Sequence, residues 1–107
     1  MNAEAFRSMK PDAVLIDVSR GGVVVEAALL DALRSARIKG AALDVFATEP
    51  LPEQHPLWNL DNVIVTPHCS SVYKGWEVKS AEMFSANLAR YRHNELLENV
   101  VDPARGY

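Results

Sequence analysis

Four side chains in this sequence could act together on a small carboxylic acid: Arg20, Asp44, Glu49 and His68. A planar guanidinium grips a carboxylate through two parallel hydrogen bonds, an imidazole gains and loses a proton near neutral pH, and a carboxylate behind its second ring nitrogen orients and polarises it. That set suits an α-hydroxy or α-keto acid. Each residue also has an ordinary reading. An arginine before Gly21-Gly22 is often a solvated turn residue, a glutamate before Pro50 a loop carboxylate, and a histidine after Pro67 a surface group. Asp44 differs, because it interrupts an apolar run where an unpaired carboxylate destabilises the chain, so a hydrogen-bonded or functional role is favoured.

The elements around them decide which reading holds. Ala13-Val14-Leu15-Ile16-Asp17-Val18 is an almost continuous apolar run rich in β-branched residues, the pattern of a strand covered on both faces in a parallel sheet. Ala41 to Phe46 predicts a second such strand, and Asn62 to Thr66 a third that Pro67 halts. A short helix over Ala3 to Met9 ends at Lys10-Pro11-Asp12. Ala27, Leu29, Leu30 and Leu33 recur at helical spacing between Glu26 and Ala36, and Gly40 closes that helix or opens the next strand. Thr48 to Asp61, with Pro50, Pro52 and Pro56, reads as an ordered loop with one helical turn around Leu57 to Leu60. A long helix is predicted from about Ser71 to His93, capped by Ser70 or Ser71, with Val72, Trp76, Met83, Phe84, Leu88 and Tyr91 as a packing stripe and Asn94 as a left-handed stop. His55 and His93 lack a partner pattern and read as surface residues, Arg90 and Arg92 as a solvated face, and Glu95 to Tyr107 as irregular. Strand, helix, strand, loop, strand, helix is the order of an α/β unit with a parallel sheet of about three strands and a long C-terminal helix. Ligands of such sheets gather at the carboxyl ends of the strands, where Ser19-Arg20, Asp44 and His68 all fall.

Composition narrows the class further. With 107 residues, 49% hydrophobic and 23% charged, the chain reads as one soluble globular domain. A net charge of -3 offers no basic surplus for a phosphate backbone, so nucleic acid is not an expected partner. Cys69 has no disulfide partner, no Cys/His cluster has metal-ligand spacing, and a reducing, cytoplasmic setting is expected. The first residues lack a signal-like apolar run, and no stretch has the length of a membrane span.

Four stretches, Leu15-Ile16-Asp17-Val18-Ser19-Arg20-Gly21-Gly22, Ala41 to Phe46 running on to Glu49-Pro50-Leu51, Thr66-Pro67-His68, and Asn99-Val100-Val101-Asp102-Pro103 through Gly106-Tyr107, resemble the NAD-dependent D-isomer-specific 2-hydroxyacid dehydrogenases in family order. The resemblance implies a partial Rossmann-like, doubly wound fold. It implies that Arg20 grips the substrate carboxylate and carbonyl, that His68 is the acid/base and that Glu49 supports the imidazole. Val18, Ser19, Arg20, Asp44, His68, Ser70 and Ser71 would line the nicotinamide half of an NAD or NADP site, with no metal. The chain departs from the family at Val25, where an acidic residue is common, and at Cys69-Ser70-Ser71, which replaces a smaller turn. It also contains no G-x-G-x-x-G, so half of the dinucleotide site is missing. The expectation is therefore the C-terminal part of a dehydrogenase: residues 1–70 the second half of a nucleotide-binding domain, and residues 71–107 a helix and tail returning toward a substrate domain. A homodimer, or a complement supplied by a preceding segment, is the expected partner beside a small 2-hydroxy or 2-keto acid. The alternative is a catalytically inactive association or folding module.

Overall fold

The computed structural model describes residues 1–104 and divides into two compact units, one of Met1–Ser71 and one from Val72 onward. The expected family-like ending at Gly106-Tyr107 lies outside the described residues. In the first unit, helix α1 spans Ala3–Ser8, with Asn2 accepting the Ala5 N–H at 3.1 Å as its N-cap. Strand β1 is Val14–Asp17, helix α2 Glu26–Arg34, strand β2 Gly40–Leu43 and strand β3 Val63–Val65, with a 3₁₀ turn at Pro56–Asn59 before β3. Gly40 thus opens β2, and Asp44 lies one residue past it rather than within it.

The three strands are parallel in the order β1-β2-β3, and their register aligns Leu15 with Ala41 and Val63, and Asp17 with Leu43 and Val65. Helix α2 turns Leu29, Ala32 and Leu33 into a core with Phe6, Ile38, Ala41, Leu43, Phe46 and Leu57, of which Phe6, Ile38 and Leu57 are fully buried. Val25 offers α2 no side-chain cap. The expectation of strands covered on both faces is corrected: side chains alternate across a strand, and the helices of this unit cover one face only. On the other face Ile16 is 69% exposed and Ile64 66%, flanking Ala42 in register.

In the second unit helix α3 runs Trp76–Arg92, five residues shorter at its start than Ser71 predicted. Its N-cap is Gly75 at φ 88°, a left-handed position with no side-chain cap, so neither Ser70 nor Ser71 caps it. Asn94 adopts φ 54° and ends the helix as expected. The packing stripe is also corrected: α3 buries no residue, and Phe84 and Tyr91 are among its exposed side chains. The segment after the helix is tied back to it at Glu98. Asn87 accepts the Glu98 N–H at 2.9 Å and donates to the Glu98 carbonyl at 3.0 Å, while Arg90, expected on a solvated face, makes a surface pair with the Glu98 carboxylate at 2.5 Å.

Candidate active site

Because Asp17, Leu43 and Val65 are in register, the residues that follow each strand emerge along one edge of the sheet. The ladder continues just beyond it, with the Asp44 N–H donating to Asp17 O and the Thr66 N–H to Leu43 O, both at 2.9 Å. Ser19-Arg20, Asp44 and Thr66-Pro67-His68 are all placed there.

Glu49 and His68 meet. The Phe46 N–H donates to Glu49 Oε1 at 2.9 Å, which fixes the carboxylate, and Oε2 then faces His68 Nδ1 at 2.7 Å. With a proton on Nδ1 the neutral ring keeps its lone pair on Nε2, which has no partner among the described residues. The hydrogen bond from His68 holds the Glu49 carboxyl below its ordinary pKa, helped by the Phe46 N–H and the nearby imidazole charge, while Asp44 acts in the opposite sense. His68 stands at φ 51°, in the left-handed region that few residues other than glycine adopt without support.

Asp44 supplies a second cluster. Only 3% exposed, it accepts the Thr66 hydroxyl and the Cys69 N–H (2.9 Å) on Oδ1, and the Ser70 N–H (2.8 Å) on Oδ2. Those bonds, the Thr66 hydroxyl first, hold its pKa well below the usual carboxylate range against the opposing effect of burial. Asp17 plays a similar local part at the end of β1, where Oδ1 accepts both the N–H (3.0 Å) and hydroxyl (2.6 Å) of Ser19. Arg20 is exposed, and its guanidinium donates to the Ser19 carbonyl at 2.8 Å without a contact to Glu49, Asp44 or His68. Val18 and Ser71 are exposed, Ser70 is exposed at its side chain but fixed at its backbone, and Cys69 is half-buried.

Beside the Glu49–His68 pair opens a cavity of about 530 Å³, walled by Phe46, Pro50, Leu51, Trp58, Val65, Thr66 and Pro67. Pro50, Leu51 and Trp58 of its largely apolar wall belong to the proline-rich loop, and three contacts that the sequence reading missed tie that loop down. Glu26 accepts the Ala47 N–H at 3.0 Å and pairs with His55 Nε2 at 3.6 Å, while His55 Nδ1 accepts the Leu57 N–H at 3.3 Å. His55 is thus a loop anchor, not a free surface residue. The signal was a carboxylate at Glu26, one position after the departure at Val25, but nothing in the spacing paired it with a residue 29 positions away. Among the described residues no group of three His, Cys, Asp or Glu side chains could hold a metal ion, and no helix is long and apolar enough to cross a membrane.

Residues 1–70 match the family described as D-isomer specific 2-hydroxyacid dehydrogenase, NAD binding domain. A glyoxylate reductase of Korarchaeum cryptofilum is 41% identical over 99 residues, which cover 92% of this chain and 30% of that protein. Among solved structures, a D-isomer specific 2-hydroxyacid dehydrogenase from Xanthobacter autotrophicus Py2, in complex with NADPH and MES, superposes with a TM-score of 0.91 at 48% identity, covering all of this chain and 43% of that one. An NADPH-dependent glyoxylate/hydroxypyruvate reductase from Sinorhizobium meliloti, in complex with NADP and sulfate, gives 0.89 at 35% identity, over all of this chain and 35% of that one. The chain spans about a third of the length of the curated relatives it matches.

Proposed function

The chain belongs to the D-isomer specific 2-hydroxyacid dehydrogenases, and from that premise we propose that it carries the acid/base part of an oxidoreductase site for a D-2-hydroxy acid and its 2-keto acid. The observation that carries the reading is the Glu49–His68 pair, in which a backbone-anchored carboxylate fixes one ring nitrogen at 2.7 Å and leaves the other open. In oxidation His68 Nε2 accepts the substrate hydroxyl proton, and Glu49 stabilises the imidazolium that results; in reduction the imidazolium returns that proton to the carbonyl oxygen. Arg20, held among the described residues by its neighbour's carbonyl alone, can turn its fork toward the substrate carboxylate.

The donors at this edge fit the nicotinamide end of NAD or NADP. Parallel strand ends, an open imidazole nitrogen and the exposed Val18, Ser19, Ser70 and Ser71 offer apolar and polar contacts along one line, with Asp44 behind them. The nicotinamide, when bound, supplies the two-electron transfer to or from the substrate carbon. The pyrophosphate end finds no glycine-rich turn in this chain, so by itself the chain is inactive in this reading. A cytoplasmic setting belongs to the same proposal.

A chimera tests it: this chain replaces the matching segment of the Xanthobacter dehydrogenase, and NADPH consumption is followed with glyoxylate or hydroxypyruvate. The chimera turns over, and His68→Asn lowers kcat by about 10²-fold or more. A His68→Asn chimera running near the unmodified rate overturns the reading.

The bare face of the sheet supports a second reading of the isolated chain, as an association module without turnover. Ile16 and Ile64, at 69% and 66% exposure, present an apolar stripe that another copy or a further sheet segment would cover. Sedimentation of the 107-residue chain tests it. A dimer supports this reading, and a strict monomer at high concentration refutes it.

A further inference from the structure

We propose that Asp44 and Thr66 are positioning residues for His68: the buried carboxylate ties down both sides of the turn that carries the imidazole and so holds the ring against Glu49. The proposal deepens the acid/base reading of His68 and rests on it. Thr66 lies two residues before His68, Cys69 one after and Ser70 two after, and all three donate to the Asp44 carboxylate. Between them the chain turns tightly, with the His68 N–H donating to Thr66 O at 3.1 Å and His68 itself at φ 51°. A left-handed histidine persists only where its surroundings over-determine it, and the carboxylate that brackets it is the group that does so. The resemblance to the family places Asp44 beside the nicotinamide. The geometry adds an inward task, because both of its oxygens are already engaged by the turn at 3% exposure. Thr66 carries no family role in the sequence reading, yet its hydroxyl is the one side-chain donor in this bracket that precedes the histidine.

Substitutions separate holding from bulk. Asp44→Asn keeps the shape but gives the amide nitrogen a donor that faces another N–H, so at least one bracket bond is lost. Thr66→Val keeps the shape and removes the hydroxyl, and Thr66→Ser keeps the hydroxyl and removes a methyl group. The readout is the His68 ring itself, by long-range ¹H–¹⁵N correlation on the labelled 107-residue chain, with the methyl resonances of Ile38 and Leu57 reporting the core. In the unmodified chain His68 carries its proton on Nδ1. In Asp44→Asn and Thr66→Val that population falls toward the mixture seen for a free histidine while the core resonances stay in place, and Thr66→Ser retains it. The proposal is overturned if both variants keep the Nδ1–H form, if Thr66→Ser loses as much of it as Thr66→Val, or if the unmodified chain lacks it. Should Asp44→Asn not fold, the Thr66 pair decides, and unfolding of Thr66→Val as well shows a role in the fold alone and refutes the proposal. The ring, not turnover, is measured, so this failure is distinct from failure of the dehydrogenase reading, which the chimera tests.

Discussion

Gly21→Ala puts the link between backbone packing and the Glu49–His68 pair to a quantitative test. A Cβ at this position would lie 1.9 Å from the Phe46 carbonyl oxygen and 2.6 Å from its carbonyl carbon. Ordinary contact begins near 3.4 Å, so the Phe46 peptide must retreat by the difference, about 1.5 Å, and it is backbone, not the end of a flexible side chain. Overpacking commonly costs about 1–3 kcal/mol, and a clash this deep belongs at the upper end, about 3 kcal/mol. A unit of about 70 residues is stable by only about 4–10 kcal/mol, so the loss is a large fraction of the whole. The neighbour is the control. Gly22 has open space around its missing Cβ but stands at φ 85°, so Gly22→Ala loses only the left-handed freedom of glycine, about 1 kcal/mol. Urea unfolding followed by Trp58 fluorescence, in a Trp76→Phe background so that the first unit alone is read, compares the two. With a slope of about 1–1.5 kcal/mol per M, the midpoint falls by about 2–3 M for Gly21→Ala and by about 0.7–1 M for Gly22→Ala. Because the Phe46 N–H fixes Glu49, Gly21→Ala also disturbs the His68 ring resonance, and Gly22→Ala leaves it alone. Equal midpoints for the two variants refute the close approach as a constraint.

The remaining expectations concern the core, the cap and acid. Ile38, with no exposure, loses about 2–5 kcal/mol of stability on substitution by alanine, measured by the same urea titration. Asn2→Ala removes the N-cap of α1 and lowers stability by about 1 kcal/mol, with Asn2→Asp restoring most of it. Asp44 and Glu49 both ionise below their ordinary values of 3.8 and 4.5, so as pH falls the unfolded chain takes up their protons first. Their contribution is complete above those values and is lost as pH drops through the lower folded ones. The urea midpoint of the unmodified chain therefore falls below about pH 4.5, and Asp44→Asn flattens that fall; an unchanged slope in the variant argues against a depressed Asp44.

The sheet was legible in the sequence because its apolar runs are short and bounded by Gly or Pro: β1 and β3 lie within the predicted stretches, and β2 begins one residue before Ala41 and ends at Leu43. What was misread was their surroundings. A run such as Ala13 to Val18 looks alike whether one face or two are covered, and only the packed unit shows Ile16 bare. The start of α3 was misplaced because Ser70 and Ser71 look like caps, whereas their neighbourhood is already committed: the Ser70 N–H belongs to Asp44, and the helix waits for Gly75. The amphipathic pattern of α3 carried no information about burial, since none of the described residues of its own unit buries it. At the site, the chemistry of Glu49 and His68 suggested that they would meet, and they do. Thr66 was invisible as more than a strand end, because a hydroxyl donating to a carboxylate 22 positions earlier has no local signature. His55 escaped for the same reason.

The left-handed backbone at His68 also bears on how a knockout of this position is to be made and read. Replacement by alanine changes two things at once, removing the imidazole and placing a residue with poor left-handed tolerance at φ 51°. A dead enzyme would then report lost chemistry and a displaced loop in unknown proportion. Asparagine accepts such dihedrals more readily than most residues and leaves the turn where it was. Glycine provides the complementary control, with the backbone relaxed and the side chain gone. Comparing His68→Asn with His68→Gly thus separates the ring from the geometry that presents it, and agreement between the two would assign the whole loss to the ring.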